Sequence, residues 1–485
     1  MKSDSIDDLW SDPAGLQDAP KAGVEMIAFQ SVIARTRKPG GSRTAWESVV
    51  PKRDGLTRTA HRLDLPERVY YQALVDSFLH DADAKMASRN NVYGYRPNAP
   101  RRSHQPFGRK PIEQWLAFHR KVKDVCRARG GAVVVTDIAA FFEQIPHDSL
   151  ADQLSYLGIS PQTTAELRSL LRSLMAGERG IPQGNDASSV VGSVYLTQAD
   201  NVMLRAFPDY YRYVDDIRIV TGSESEARKA LRLLEAEMRK LGLNLQPGKT
   251  RMLVGAAAIK EEILDADAEV DAVDYVWRTK ARRVSLPKVR KSWNSASRKK
   301  AWNKRLIKFL VNRLRMAKSD LAVNWCVSRL GVLDWLAELV APYLALFVDR
   351  KAIQARVDAH LRSDANLSAW EETALLRMFL TAKTVSRGTI DYAIARVQDR
   401  NENGAVREWA AVLVGKAGTD ADRNAIYPYR VDTRHMARAM VVAFQGSGRR
   451  GSVYGDVAKS FPELRSVTNR YKGFARPLWP VFPVW

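Results

Sequence analysis

The sequence predicts an α/β or α+β region up to about residue 255, followed by an all-α, helical-repeat-like region beyond about residue 306. Two patterns and the size of the chain carry this. Short β-branched or apolar runs, GAVVVTDI (131–138) and YRYVDDIRIV (211–220), alternate with helical patterns such as SEARKALRLLEAEMRKLGL (225–243), as expected of a sheet covered by helices. Beyond Leu306 the spacing is helical almost throughout, in IKFLVNRLRMA, VNWCVSRLGVLDWLAELVAPYLALFV, ALLRMFLTAK, TIDYAIARV, VREWAAVLVGKA and HMARAMVVAF, with polar breaks such as DRNENGA and GTDADRN between them. With 485 residues, 45% of them hydrophobic, the chain has apolar material for more than one core.

Taken in order, residues 1–44 read as an N-terminal extension. MKSDSIDDLWSDPAGLQDAP is acidic where a leader would need a basic start and an apolar run, and no stretch reaches the roughly 18 apolar residues of a membrane span. The expectation is a soluble cytoplasmic protein with no membrane partner. VPKRDGLTRTAHRLDLP (50–66) reads as a hairpin turning at Asp54–Gly55 with basic residues on both arms. The helix pairs after residue 306 suggest a HEAT-like or bundled helical domain, although no motif repeats at a fixed period. RPLWPVFPVW (476–485) is too proline-rich for a helix and reads as an extended strap.

Lys plus Arg number 76 against 54 for Asp plus Glu, a net charge of +22, which calls for a polyanionic partner. The stretch from Arg278 to Lys318 holds 16 cations and no acid, and the remaining 444 residues carry only about +6. Lys288, Arg290, Lys291, Arg298, Lys299 and Lys300 are the candidates here for nucleic-acid binding. Trp277, Trp293 and Trp302 lie within or beside this stretch, where aromatic rings among cations suit stacking on bases. The alternative is a solvated basic helix face whose tryptophans belong to the core. Two cysteines, Cys126 and Cys326, exclude a disulfide framework or a cysteine-rich zinc module.

The chemistry concentrates in Tyr213-Val214-Asp215-Asp216. Adjacent carboxylates in an apolar run belong at a hairpin turn, because burying two such charges without a counter-ion costs several kcal/mol each. Either solvent or a divalent cation must relieve them. Asp137 closes the strand AVVVT, and three carboxylates on two neighbouring strands would make a hard oxygen site for two Mg²⁺ ions, with Mn²⁺ as a substitute, suited to in-line nucleotidyl transfer.

VVVTDIAAFFEQIPHDSL (133–150), GIPQGNDASS (180–189), YRYVDDIRIV and LGLNLQPGKT (241–250) together resemble, in order, four palm motifs of reverse transcriptases. The resemblance covers residues 45–255 and implies fingers and a palm of the right-hand polymerase type, built on an antiparallel sheet. Asp137 and Asp215 match the aspartates that bind both metals, and Asp216 the second member of the pair. Phe142 matches the bulky residue that excludes a 2′-hydroxyl, so dNTPs should be preferred over NTPs. Gln183 and Gly184 match the lining of the nucleotide pocket, and Lys249 the lysine that protonates the leaving pyrophosphate. The hairpin resembles the fingers hairpin, making Lys52 and Arg58 candidates for the triphosphate. NVYGYRP (91–97) resembles the next fingers segment, with Arg96 as a phosphate contact.

The helical C-terminal region resembles that of bacterial abortive-infection and other defence-associated reverse transcriptases, the UG/Abi lineage. This implies anti-phage DNA synthesis, either copying a partner non-coding RNA into cDNA or polymerising without a conventional template. Residues 256–320 would form a basic, thumb-like connector and 321–485 the helical domain, which could also support a homo-oligomer. Two other readings are a mobile-element enzyme such as a group II intron maturase, and an RNA-binding scaffold that retains a palm.

Overall fold

The computed structural model describes residues 45–480, apart from 53–54, 64, 98–110, 176, 266–269, 271, 274–275, 278–281, 300–301 and 364–366. The extension 1–44, Asp54, Lys300 and the last five residues of the strap therefore lie outside the described residues.

The described residues begin with an antiparallel hairpin, β1 (Ala45–Pro51) and β2 (Thr57–Leu63), paired from Ala45↔Leu63 to Pro51↔Thr57. Gly55 in its turn has φ +79°, a conformation that glycine adopts without strain. After α1 (Leu65–Lys85) come the short β3 (Val92–Tyr93), α2 (Pro111–Arg129) and β4 (Ala132–Asp137). The short α3 (Phe141–Gln144) is followed by α4 (His147–Tyr156), α5 (Pro161–Leu174), α6 (Asp186–Tyr195) and α7 (Thr197–Ala206). Next are β5 (Tyr210–Tyr213), β6 (Asp216–Thr221), α8 (Glu224–Lys240) and β7 (Arg251–Val254).

These strands form a five-stranded sheet in the order β3-β5-β6-β4-β7. β4, β5, β6 and β7 pair antiparallel as expected, while β3 adds a parallel edge, so the sheet is mixed. β4 is apolar at both parities because it serves two cores. Ala132 and Val134 join the core under α1 and α4–α8, whereas Val133 and Val135 face Phe118, Val122 and Val125 of α2.

A short α9 (Ala256–Ile259) leads to the basic helices α10 (Arg282–Ala296) and α11 (Lys304–Met316). Then follow α12 (Val323–Val327), α13 (Ala337–Ala345), α14 (Lys351–Leu361), α15 (Ala369–Phe379), α16 (Arg387–Gln398) and α17 (Gly404–Ala417). The stack closes with α18 (Asp420–Ile426), α19 (Arg434–Ala443), α20 (Arg450–Ser460) and α21 (Arg465–Lys472). α13, α15, α17 and α19 pack successively against one another as an inner layer. α15, α17 and α19 are buried on nearly all sides, while α14, α16 and α20 bury one face only. Ser368, Ser386, Asn403 and Thr433 each accept a backbone N–H at a helix start, and Thr419 forms a capping box with Asp422. Residues 477–480 are neither helix nor strand, and Gln445 pairs with both backbone groups of Leu478, at 2.7 and 3.1 Å.

Among the described residues one continuous apolar core runs from Val273 to Tyr471. Val50 and Ala60 of the hairpin belong to it as well. Trp293 is buried, and both it and Trp302 meet Trp325 edge-on at 5.3 Å, while Arg313 covers Trp277. The expectation of base stacking is thereby corrected for Trp293, whose ring is core, while Trp277 and Trp302 are half-buried against that core.

Candidate active site

The sheet register brings the carboxylates together. Asp137, the last residue of β4, lies opposite Asp216, the first of β6, and Tyr213 pairs with Asp216 on the other side. Val214 and Asp215 form the two-residue turn between β5 and β6. The favoured hairpin turns of this length need a positive φ at their first residue, and Val214 has φ +55°. For a β-branched residue this costs on the order of 1–3 kcal/mol and persists only when the surroundings enforce it.

Arg212 supplies part of that enforcement. Its Nη1 donates to the Val214 carbonyl at 2.7 Å, and its Nη2 donates to Ser193 O at 3.3 Å. The guanidinium is fully buried on Asp200, with Nε–Oδ1 at 2.8 Å and Nη2–Oδ2 at 2.5 Å, and the Tyr210 hydroxyl donates to the same carboxylate at 2.8 Å. Gly94 backs the turn closely: a Cβ there would meet Val214 Cγ2 at 3.2 Å.

Burial, followed by the charges of Asp137 and Asp216, pushes the Asp215 carboxyl up to about 7. Burial also raises Asp216, against the opposing effect of Arg218, 3.5 Å away. Lys249 reaches in from the segment before β7 and its ammonium rests on Asp137. Burial alone would lower the Lys249 pKa, but the contact with Asp137 raises it on balance. Among the described residues no group of three or more His, Cys, Asp or Glu is already closed as a metal cluster. Lys249 on Asp137 and Arg218 near Asp216 instead place protein cations among the carboxylates.

Phe142 is half-buried beside Phe141, ring centres 5.3 Å apart. Gly192 of α6 makes room for the pair, since a Cβ there would sit 2.8 Å from Phe141. The loop carrying Gln183 and Gly184 is tied to this strand end by Ile181 N–H donating to Phe142 O at 2.8 Å, and Gly184 has φ +107°. His147 supports the same loop through Gly180 O at 2.7 Å, and burial lowers its pKa, in keeping with a structural role.

Other expected site residues are placed differently. Lys52 is exposed at the hairpin turn. Arg58 shares a face of β2 with Ala60, which joins the helical core, so the register turns it away from the face that meets Gln183. Arg96 is 6% exposed, with Nε on Asp83 and Nη1 donating to Ala87 O at 2.9 Å. It therefore closes its own loop, and its assignment as a phosphate contact is corrected. Lys288, Arg290, Lys291, Arg298 and Lys299 are exposed, on α10 and just beyond it, opposite the buried Val289, Trp293 and Ala296. Reversing these five charges is expected to weaken nucleic-acid binding and to flatten its salt dependence, by about 0.9 in log–log slope for each duplex phosphate no longer neutralised. A salt titration giving the wild-type slope would remove this face from the interface.

Sequence reasoning missed Arg212, Asp200 and Arg218, although an arginine inside each apolar strand was itself a signal for a counter-ion. It also missed α2, where Trp115 lies under Arg305 at 4.8 Å. His119 on the same helix is lowered to about 3 by burial and by the charges of Arg218, Arg305 and Lys123.

A family model described as "Reverse transcriptase (RNA-dependent DNA polymerase)" matches residues 50–310, which extends the matched region past residue 255 into the basic helices. No curated protein sequence matches significantly. Similar solved structures include apo telomerase from Candida tropicalis, at 8% identity and TM-score 0.33, covering 90% of this chain and 70% of that one. Another is telomerase from Candida albicans in complex with a TWJ fragment of telomeric RNA, at 10% identity and TM-score 0.29, covering 92% and 68%.

Proposed function

Since this chain belongs to the reverse transcriptase family and is therefore an RNA-directed DNA polymerase, we propose that Asp137, Asp215 and Asp216 hold its divalent cations, with Mg²⁺ the expected ion and Mn²⁺ a substitute. The observation that carries this is the convergence of three carboxylates on one strand end and one hairpin, with Lys249 and Arg218 placed among them as protein cations. Such a donor set suits a hard, oxygen-preferring ion. When bound, two such ions would activate the primer 3′-hydroxyl and neutralise charge on the phosphates.

The remaining roles belong to side chains around that point. Phe142 stands against the sugar and excludes a 2′-hydroxyl. Gln183 and Gly184 line the nucleotide pocket, where the glycine allows close backbone approach. Lys52 meets the triphosphate from the exposed hairpin turn. Lys249 Nζ gives a proton to the departing pyrophosphate. Phe142→Ala is expected to admit NTPs, raising their kcat/KM relative to dNTPs by roughly ten- to a hundredfold. Unchanged sugar discrimination in a competition assay would take Phe142 out of the gate.

We further propose that synthesis serves anti-phage defence, as in the abortive-infection lineage, with a non-coding RNA held against the basic helices. The helical stack behind the palm and the acid-free run of cations support this reading. The test is to purify the protein from its native gene context and sequence the nucleic acid that accompanies it, beside Asp215→Asn. A discrete RNA with complementary DNA found only in the active form supports a templating partner. DNA matching no template, released only by protein digestion, points instead to protein-primed, untemplated synthesis. Flanking intron domains together with spliced host RNA would overturn the defence reading.

A further inference from the structure

The β1–β2 hairpin is a plate with two working faces. Side chains alternate along a strand, so Trp46, Ser48 and Val50 share a face with Ala60 and Arg62, while Thr59, His61 and Leu63 share the other. The first face is built into the helical stack. Val50 and Ala60 lie in its core, and Arg62 Nη1 donates to Glu408 Oε2 of α17 at 2.9 Å, with side chains 10% and 1% exposed. Asn403 donates to Ser48 Oγ at 3.4 Å. Trp46 lies so close to Gly404 that a Cβ there would overlap its ring, and it meets His435 edge-on at 4.4 Å.

The second face is built into the palm. Leu63 joins the palm core, and Thr59 N–H donates to Glu143 Oε1 at 3.3 Å, one residue from Phe142. His61 and Gln183 form a reciprocal pair: His61 N–H donates to Gln183 O at 3.1 Å, and Gln183 N–H donates to His61 Nδ1 at 3.3 Å. His61 and Arg62 are adjacent, so one peptide joins the loop carrying Gln183 to the centre of α17.

We propose that the helical stack is a positioning element for the nucleotide pocket: Glu408 and the Trp46–Gly404 contact hold the hairpin at the orientation in which His61 fixes the backbone of Gln183. This rests on the assignment of Gln183 to that pocket. Glu408, Arg62, Gly404 and His61 are positioning residues, acting through Gln183 on how the incoming nucleotide sits. Because the pair holds the backbone of Gln183 in the proposed pocket, its loss acts on nucleotide binding rather than on the chemical step. Anything that shifts α17, such as a partner bound along the stack, would then change nucleotide affinity.

The test measures steady-state dNTP incorporation by the full chain on a primed template, below the unfolding temperature of each variant. Glu408→Gln and Gly404→Ala, which loosen the same face by different means, are expected to raise KM for dNTPs roughly five- to tenfold. Under the same conditions kcat and template–primer Kd stay within about twofold of wild type. Arg62→Lys, which keeps a cation on Glu408, is expected to stay near the wild-type KM. His61→Ala cuts the same path at its palm end and should give a similar rise that does not add to that of Glu408→Gln. A lowered Tm with unchanged KM in the interface variants, or full additivity with His61→Ala, overturns the inference. Gln183→Ala separates the two levels. If it raises KM while the interface variants do not, the inference alone fails. If it leaves KM unchanged, the pocket assignment fails and the inference with it.

Discussion

Replacing Asp215 by asparagine is expected to abolish dNTP incorporation, lowering kcat by at least about a thousandfold, while the fold and nucleic-acid binding persist. The substitution is nearly isosteric and removes one of three mutually repelling carboxylates, so it relieves the metal-free fold rather than straining it. A readout independent of activity comes from linkage, since a cation that binds only the folded chain raises Tm with its concentration. Wild type should therefore show a Tm that climbs with Mg²⁺ or Mn²⁺, and Asp215→Asn should lose most of that climb. Retained incorporation, or an undiminished cation-dependent Tm shift, would remove Asp215 from the metal site.

The second large effect is expected at Arg212. Arg212→Leu leaves Asp200 charged and buried without its guanidinium, and removes the hydrogen bond to the Val214 carbonyl. Breaking a buried pair from one side typically costs about 3–5 kcal/mol, so a marked fall in Tm together with loss of activity is expected. The double variant Arg212→Leu/Asp200→Leu separates two contributions. Replacing both charges by apolar groups is often neutral, so much of the Tm should return. Activity should not, because the carbonyl before Asp215 still lacks the donor that helps hold Val214 at φ +55°. If activity returns along with Tm, Arg212 is only a core ion pair and the turn holds itself.

The elements around the candidate site were legible because their signals are local. The apolar run 132–136 ends in a carboxylate, and the paired aspartates interrupt another apolar run where only a turn accommodates them, so both strands and the hairpin followed from alternation and charge. The helices of the C-terminal stack were legible in their apolar periodicity and in the polar breaks between them. Arg96 misled because a cation beside a recognisable segment reads as a ligand contact, whereas its partner Asp83 lies thirteen residues upstream in a helix. Trp293 and Trp302 misled for a related reason: an aromatic ring among cations suits a base and a hydrophobic core equally well, and only the position of Trp325 decides between them.

The sequence by itself determined the class of each region, the order of the palm motifs, the carboxylate set and the location of the excess positive charge. Each of these depends on residue type and short-range spacing. Only the tertiary structure decided that Arg212 and Asp200 support the Val214–Asp215 turn, that Trp293 is core with Trp302 packed against it, and that one hairpin joins the helical stack to Gln183. These are contacts between distant segments, such as Arg62 with Glu408. Burial, which makes a charge pair or a close ring contact energetically decisive, is a property of the packed molecule and of no single stretch of chain.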